Sequence, residues 1–356
     1  MEFHIDFNWQ IQTGTESRAL EPLLLNLLSA INEHGALQQA AKDVGVSYRH
    51  AWGMMEKWQQ LFGLPLIEKQ RGRGTRLAPA GKYLLQAHQH LQARLLPQLI
   101  NQATQLRQQI EELKTSQNQS RLTIFASHGL AISALREQLT QQEIAVDLHF
   151  HGSLESLQEL HRGHCDVAGF HIPVGKLGQQ IADQYLALLD AKQISLIYLV
   201  RRQQGLMITA GNPLRIRDLT DLSKNGLRFI NRQRGSGTRL LFDQLLSAQQ
   251  ITPASIKGYQ QEEFTHMAVA AMIASGAADC GFGIAAVADK FALDFLPICE
   301  EHYCLAIPTN RLLTEPVQAL LNSLKAPNWR QSLAGLAGYD LSQSGQMVGF
   351  ANIFGR

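Results

Sequence analysis

Four short segments in the second half of the sequence place Gly, Ser or Thr where a predicted strand gives way to a predicted helix. The first turn of a helix carries free backbone N–H groups and the positive end of the helix dipole, so such turns favour anions. Four of them meeting in one cleft would form an anion-selective site without a metal. The segments are residues 125–129, 150–153, 231–239 and 264–266.

Residues 231–239 stand apart from the other three segments because arginines flank Gly235, Ser236 and Gly237. A simple helix cap does not require this positive charge, which favours binding over capping here. At the other turns a Ser or Thr serves equally well as a helix cap, and each histidine is equally plausible as a structural residue. The predicted ligand-binding residues are Ser127, His128, Gly152, Ser153, His171, Asn231, Arg232, Gln233, Ser236, Gly237, Thr238, Arg239, Thr265 and His266.

The first third of the chain carries a different kind of positive charge. Residues 42–82 hold eight basic and three acidic residues, whereas the whole chain has a net charge of only +2. Two short helical patterns meet at Gly45, with Ser47 as the N-cap of the second, and two strand-like runs flank the basic residues 71–74. This order predicts a helix-turn-helix with a basic wing that neutralises DNA phosphates, the alternative being a hairpin charged for solubility. The predicted DNA contacts are Ser47, Tyr48, Arg49, His50, Lys57, Arg71, Arg73 and Arg76.

A long helix is predicted from residue 79 to about residue 120. Leucines recur seven residues apart within it, as at Leu99 and Leu106, which is typical of a helix that pairs with a second copy. Packing of this stripe on its own first domain is the alternative. We predict a DNA-binding domain at residues 1–82, a linker and dimerisation helix at residues 83–120, and an effector domain at residues 121–356.

Beyond residue 121, short apolar runs alternate with helical segments, a pattern typical of a parallel sheet with crossover helices. The fold class expected for this part is therefore α/β. The predicted strands are residues 122–126, 145–150, 167–171, 194–200, 206–209, 227–231, 278–282 and 303–307.

Composition narrows the class of protein. With 45% hydrophobic and 17% charged residues, the chain of 356 residues is not expected to be disordered, and four cysteines are too few for a disulfide framework. Neither a signal peptide nor a membrane span is apparent, so we expect a cytoplasmic protein. Residues 299–304 contain two cysteines and a histidine, but their spacing fits no usual zinc site, and no catalytic triad is apparent. We expect no metal, no cofactor and no enzymatic activity.

The basic region resembles a known type of DNA-binding module. Residues 36–52 (ALQQAAKDVGVSYRHAW) and 75–81 (TRLAPAG) look like the winged helix-turn-helix of ModE-like and LysR-type regulators, a likeness that extends over about residues 16–114. The resemblance implies a homodimer that binds two half-sites of double-stranded DNA.

Residues 121–345 resemble the periplasmic-binding-protein-like domains that accompany such modules. The likeness is carried by segments such as GSL at 152–154, DVAGFH at 166–171, GSGTR at 235–239 and THMAVA at 265–270. It implies two α/β lobes, joined by crossing strands, that close on a ligand.

Together these features predict a one-component transcription regulator that senses a small anion. The family association indicates molybdate, tungstate or a molecule related to the molybdenum cofactor. The arginines and histidines instead indicate a larger or more highly charged ligand with carboxylate or phosphate groups. The alternative function is a cytoplasmic protein that binds or stores the anion.

Overall fold

The computed structural model describes residues 3–13, 16–70, 74–112 and 121–355. The chain divides into two compact units, one formed by residues 6–92 and a larger one that contains residue 93 onward. The division falls inside the long helix, between Gln92 and Ala93. The boundaries expected from the sequence were instead placed at the two ends of that helix.

The smaller unit is a helix-turn-helix with a β-hairpin on each side. Residues 16–19 pair with the preceding strand, and the first helix begins at Pro22. Buried leucines of the first helix pack against Met55 and Trp58 of the third. The elements are β1 (Gln10–Thr13), β2 (Glu16–Ala19), α1 (Pro22–His34), α2 (Leu37–Asp43), α3 (Tyr48–Phe62), β3 (Ile67–Gln70) and β4 (Gly74–Leu77).

A single helix, α4 (Pro79–Glu112), belongs to both units. It contains a proline at position 97 and remains helical on both sides of it. Leu96 and Leu106 on this helix are exposed, with 44% and 39% of their surfaces accessible. The predicted residues 113–120 lie outside the described part of the chain.

The larger unit has two α/β lobes that share one sheet, which has ten strands within the described residues. The first lobe contains the parallel strands β5 (Leu122–Ala126), β6 (Val146–Phe150) and β7 (Val167–Pro173). Its helices are α5 (Leu130–Gln141), α6 (Ser153–His161) and α7 (Lys176–Leu186).

Two long antiparallel strands, β8 (Ile194–Ile208) and β12 (Asp294–Pro308), run through both lobes. The sequence predicted residues 194–200 and 206–209 as separate strands because the polar run at 201–204 interrupts the apolar pattern. Both parts are one strand, since β12 continues the pairing across the polar residues.

The second lobe contains β9 (Phe229–Arg232), β10 (Glu262–Glu263) and β11 (Cys280–Ile284), with β9 parallel to both of its neighbours. Its helices are α8 (Gly237–Ala248), α9 (His266–Ala274) and α10 (Ala285–Lys290). The chain ends with α11 (Glu315–Lys325), α12 (Pro327–Leu333), β13 (Tyr339–Asp340), β14 (Met347–Val348) and α13 (Phe350–Phe354).

Apolar side chains from both faces of the sheet form the core of each lobe. These clusters fix the strands whose ends face the cleft. Within the described residues, no helix is both long enough and apolar enough to cross a bilayer.

Candidate functional site

A cavity of about 200 Å³ lies between the two lobes of the larger unit. The strands β5, β6, β9 and β10 end beside it, and each is followed by a turn that leads into a helix. In open α/β sheets, ligands bind at the carboxyl ends of parallel strands, so the fold itself places a binding site here. The residues that these turns contribute are Ser127, His128, Phe150, His151, Gly152, Gln233, Ser236, Gly237, Thr238, Phe264 and His266.

Four helices begin at the cavity, with Gly129, Gly152, Ser236 and Thr265 as the N-caps of α5, α6, α8 and α9. The hydroxyls of Ser236 and Thr265 accept hydrogen bonds from the first turns of their own helices. The two glycine caps make no side-chain hydrogen bond. Each helix start therefore presents the positive end of its dipole at the cleft, where negative charge is stabilised.

The two lobes approach each other closely at Gly152. A Cβ atom at this position would lie 3.3 Å from the carbonyl oxygen of Gly235 in the second lobe. A larger residue would push the starts of α6 and α8 apart. The glycine thus allows the two helix dipoles to act on one ligand.

Two buried arginines line the cavity, Arg202 from β8 and Arg232 from β9. Nε of Arg202 donates to the buried Glu301 carboxylate at 2.5 Å. Nη2 of Arg232 donates to the carbonyl oxygen of Phe264 at 2.8 Å, and burial together with the charge of Arg202 lowers its pKa to about 9. Glu301 compensates one of the two charges, so this wall carries an excess positive charge that an anion would neutralise.

Three histidines complete the polar lining, of which His171 and His266 are buried and His128 is half-buried. Burial, reinforced by the charge of Arg232, lowers the pKa of His128 to about 4 and holds the pKa values of His171 and His266 well below the usual range. All three are neutral at pH 7, and each can donate one hydrogen bond and accept another. Nε2 of His171 and Nδ1 of His266 are buried and make no hydrogen bond within the described part of the chain. These nitrogens are suited to bind a polar ligand.

Most of the predicted ligand-binding residues therefore meet in one place. The structure brings ten of the fourteen to the cavity wall: Ser127, His128, Gly152, His171, Arg232, Gln233, Ser236, Gly237, Thr238 and His266.

Ser153 and Asn231 do not line the cavity, although both were predicted to bind the ligand. The Ser153 hydroxyl accepts the backbone N–H of His171 at 3.0 Å, and the Asn231 amide donates to the carbonyl oxygen of Tyr259 at 3.1 Å. Each side chain holds a neighbouring segment in place. Their side chains therefore form hydrogen bonds with the protein backbone behind the cavity wall.

Arg239 and Thr265 are the other two exceptions. The Arg239 guanidinium forms ion pairs with Asp243 and Glu262, each at 3.0 Å. The Thr265 hydroxyl donates to the carbonyl oxygen of Ala93 at 2.8 Å. Arg239 points away from the cleft because Asp243 on its own helix and Glu262 on β10 attract it, and the local sequence reveals only the first of these partners.

Several residues of the cavity wall were not predicted. Arg202 has a sequence signal, because a charge inside an otherwise apolar strand requires a buried partner. The residues of α4 were assigned to a different domain, which hid their contribution. The wall residues missed are Arg94, Pro97, Gln98, Asn101, Phe150, His151, Glu155, Arg202 and Phe264.

In the smaller unit, the front turn of α3 has the form expected of a recognition helix. Ser47 is its N-cap, and the hydroxyl accepts the backbone N–H of His50 at 3.2 Å. Tyr48 stacks on Trp52, whereas Arg49 and His50 are exposed. Two positively charged or titratable side chains thus project from the start of this helix.

Two other predicted DNA contacts are held in ion pairs within the protein, and two lie outside the described residues. Lys57 forms an ion pair with Glu21, and Arg76 forms one with Glu68 across the wing, at 2.7 Å. Arg71 and Arg73 lie outside the described residues. Arg49 and His50 are exposed at the start of α3, and their contact with DNA stays a prediction.

Comparison with known proteins identifies both units. The PBP superfamily domain matches residues 134–325, and the bacterial regulatory helix-turn-helix of the lysR family matches residues 23–82. The smaller unit is thus similar to the regulatory helix-turn-helix of the lysR family, and the larger unit to a PBP superfamily domain. Since more than half of its length matches the PBP superfamily domain, the chain belongs to that family.

Individual relatives cover parts of the chain. The uncharacterized protein YvgK of Bacillus subtilis is 33% identical over 200 residues, which are 56% of this chain and 64% of that protein. The molybdenum transport protein ModE of Herbaspirillum seropedicae is 39% identical over 93 residues, 25% of this chain and 35% of that one. The chain thus spans less than two thirds of either relative. The structure of full-length BenM aligns with 88% of this chain and 97% of its own, at 14% identity and a TM-score of 0.41.

Proposed function

We propose that the protein is a one-component regulator that binds operator DNA as a homodimer and responds to a small anion held in the cleft between its lobes. The observation that carries this proposal is the meeting of two buried guanidiniums, Arg202 and Arg232, with four helix N-termini in one cavity. Such a wall is unfavourable without a negative charge and becomes favourable when an anion binds.

The DNA-binding part of the proposal rests on the smaller unit. It combines a lysR-family helix-turn-helix match with the exposed Arg49 and His50 at the start of α3. The homodimer is supported by the leucine stripe of α4, in which Leu106 remains exposed and can pack against a second copy. An operator-binding role places the protein in the cytoplasm.

Two classes of anion fit the cleft. The names of relatives such as ModE favour molybdate or tungstate. The cavity has a volume of about 200 Å³, and Phe150 and Phe264 give it apolar surfaces. These features favour an organic anion, such as a phosphate or carboxylate related to the molybdenum cofactor, with its charged group at the arginines.

A thermal-shift panel separates the two classes. A ligand that binds only the folded protein raises its melting temperature by mass action. We expect at least one of molybdate, tungstate and a pterin phosphate to raise the melting temperature, and sulfate to have little effect. A shift with the pterin phosphate alone would identify an organic effector, whereas a shift with molybdate and tungstate alone would rule one out. No shift with any of them would contradict anion sensing.

The DNA arm of the test uses a pool of random-sequence duplexes, enriched over successive rounds of binding. We expect enrichment of paired half-sites, since a dimer presents two recognition helices. If the anion binds and no sequence is enriched, the function is that of an anion-binding or storage protein instead.

A further inference from the structure

The second half of α4 is built into the larger unit by one face of the helix. Ala93, Pro97, Thr104 and Arg107 are buried, at the three- and four-residue spacing of a single helical stripe. This stripe differs from the leucine stripe discussed above, in which Leu99 is half-buried and Leu106 is exposed. The same helix can therefore pack on the effector domain and still pair with a second copy.

This part of the helix is anchored to the first lobe along the edge strand β6. The Asn101 amide donates to the carbonyl oxygen of Phe150 at 3.0 Å, and its oxygen accepts the Phe150 backbone N–H at 2.7 Å. One turn and a half further on, Arg107 forms a buried ion pair with Asp147. Asn101 thus pairs with the end of the strand much as a neighbouring strand would.

The helix is also attached to the second lobe, at Ala93. Proline has no N–H, so Pro97 cannot donate to the carbonyl four residues earlier, which is that of Ala93. The Thr265 hydroxyl donates to this carbonyl instead, at 2.8 Å. Arg94 lies beside the buried Glu263 of the same lobe, with 4.0 Å between Nε and the carboxylate oxygen. The helix therefore bridges both lobes.

Between these two attachments the helix faces the cavity. Arg94, Pro97, Gln98 and Asn101 all line it, together with the arginines and histidines of the lobes. Asn101 is fixed by its two bonds to Phe150. The side chains of Arg94 and Gln98 are exposed and long enough to turn toward a ligand.

We propose that the effector site has three walls, the third being residues 93–101 of α4, with Arg94 and Gln98 donating hydrogen bonds to the bound anion. This inference rests on the proposed anion-sensing function and adds how a bound anion would affect the helix α4. An anion in the cleft competes with Glu263 for Arg94 and changes the attachment of the helix to the second lobe. Because α4 is continuous from Pro79 to Glu112, the contact is made by the same helix that enters the DNA-binding unit.

The first test measures anion affinity by calorimetry, using molybdate, inorganic phosphate and a pterin phosphate as probes. We expect Arg94→Gln to weaken binding of the responsive probe about tenfold, since it removes one charge-assisted hydrogen bond. Arg217→Gln is the matched control, because Arg217 is exposed on the second lobe and does not line the cavity. Wild-type affinity in both Arg94→Gln and Gln98→Ala would overturn the inference.

The second test addresses the attachment at Ala93. Pro97→Ala restores the helical N–H, which donates to the Ala93 carbonyl alongside the Thr265 hydroxyl, so the bond between the helix and the second lobe is weakened. We expect a melting temperature that does not fall and a ratio of DNA affinities with and without anion that moves toward one. Thr265→Ser, which keeps the hydroxyl, should retain the wild-type ratio. An unchanged ratio in Pro97→Ala would contradict the role of this attachment.

The outcomes distinguish this inference from the proposed function. If the wild-type protein binds none of the probes, anion sensing fails and the three-walled site fails with it. If Arg232→Gln abolishes binding while the variants of α4 leave affinity and coupling intact, anion sensing stands and only the role of the helix is wrong.

Discussion

The two units of this chain use positive charge in opposite ways. The smaller unit displays Arg49 at the exposed start of α3, whereas the larger unit buries Arg202 and Arg232 beside neutral histidines. Exposed cations suit a polyanion that is bound through many phosphates and released by salt. Buried cations cost desolvation energy in the free protein and suit one small ligand that neutralises them. The burial of charge, more than its amount, separates the proposed DNA surface from the proposed anion site.

Among the variants that test this contrast, we expect the largest effect from Arg232→Gln, on anion binding. Arg232→Gln removes a buried, incompletely compensated charge, so we expect anion affinity to fall about a hundredfold. The melting temperature of the free protein should stay the same or rise, because repulsion with Arg202 is relieved. Calorimetry and thermal unfolding measure the two quantities. A large fall in the melting temperature would mean that Arg232 is structural instead.

A smaller effect is expected at the DNA surface. Arg49→Ala should weaken operator binding about tenfold and lower the salt dependence, while anion affinity stays unchanged. Fluorescence anisotropy over a range of salt concentrations measures both. Lys57→Ala is the matched comparison, since Lys57 is paired with Glu21 and should matter less. Equal losses in the two variants would argue against the recognition turn.

The smallest effect concerns pH. The folded protein holds the pKa of His128 at about 4, below the value near 6.5 of an unfolded chain, so the unfolded state binds more protons between these values. Stability should therefore fall as pH drops through this window, by roughly 1 kcal/mol per such histidine at pH 5.5. His128→Gln should show a smaller loss of melting temperature between pH 7.5 and pH 5.5. Identical losses in both proteins would contradict the assignment.

A bound anion should reverse this trend. Negative charge beside the histidines raises their pKa values and favours proton uptake, so the thermal shift caused by the anion should be larger at pH 5.5 than at pH 7.5. A shift that shrinks on acidification would indicate that the ligand does not lie beside them.

Local signals in the sequence were enough to predict much of the fold. The cap at Ser47 and the glycine at position 45 predicted a helix that the structure places at Tyr48–Phe62, and the strand at residues 122–126 has the predicted bounds. The turns around the cleft were likewise found from Gly, Ser and Thr at strand ends.

What could not be predicted depends on contacts between distant residues. The strand β8 was divided in two, because only its pairing with β12 and the Arg202 to Glu301 ion pair explain four polar residues in its middle. The orientation of Arg239 depends on Glu262, which is 23 residues away along the chain. The contribution of α4 to the cleft follows from its packing, which the leucine repeat does not encode.

The most direct test of the central claim measures the affinity of the wild-type protein for its enriched operator, with and without saturating amounts of the anion that raises its melting temperature. We predict that the anion changes operator affinity at least fivefold, in either direction. DNA should change anion affinity by the same factor, and both effects should be lost in Arg232→Gln. Equal operator affinities in the two conditions would show that the cleft and the DNA-binding surface are not coupled.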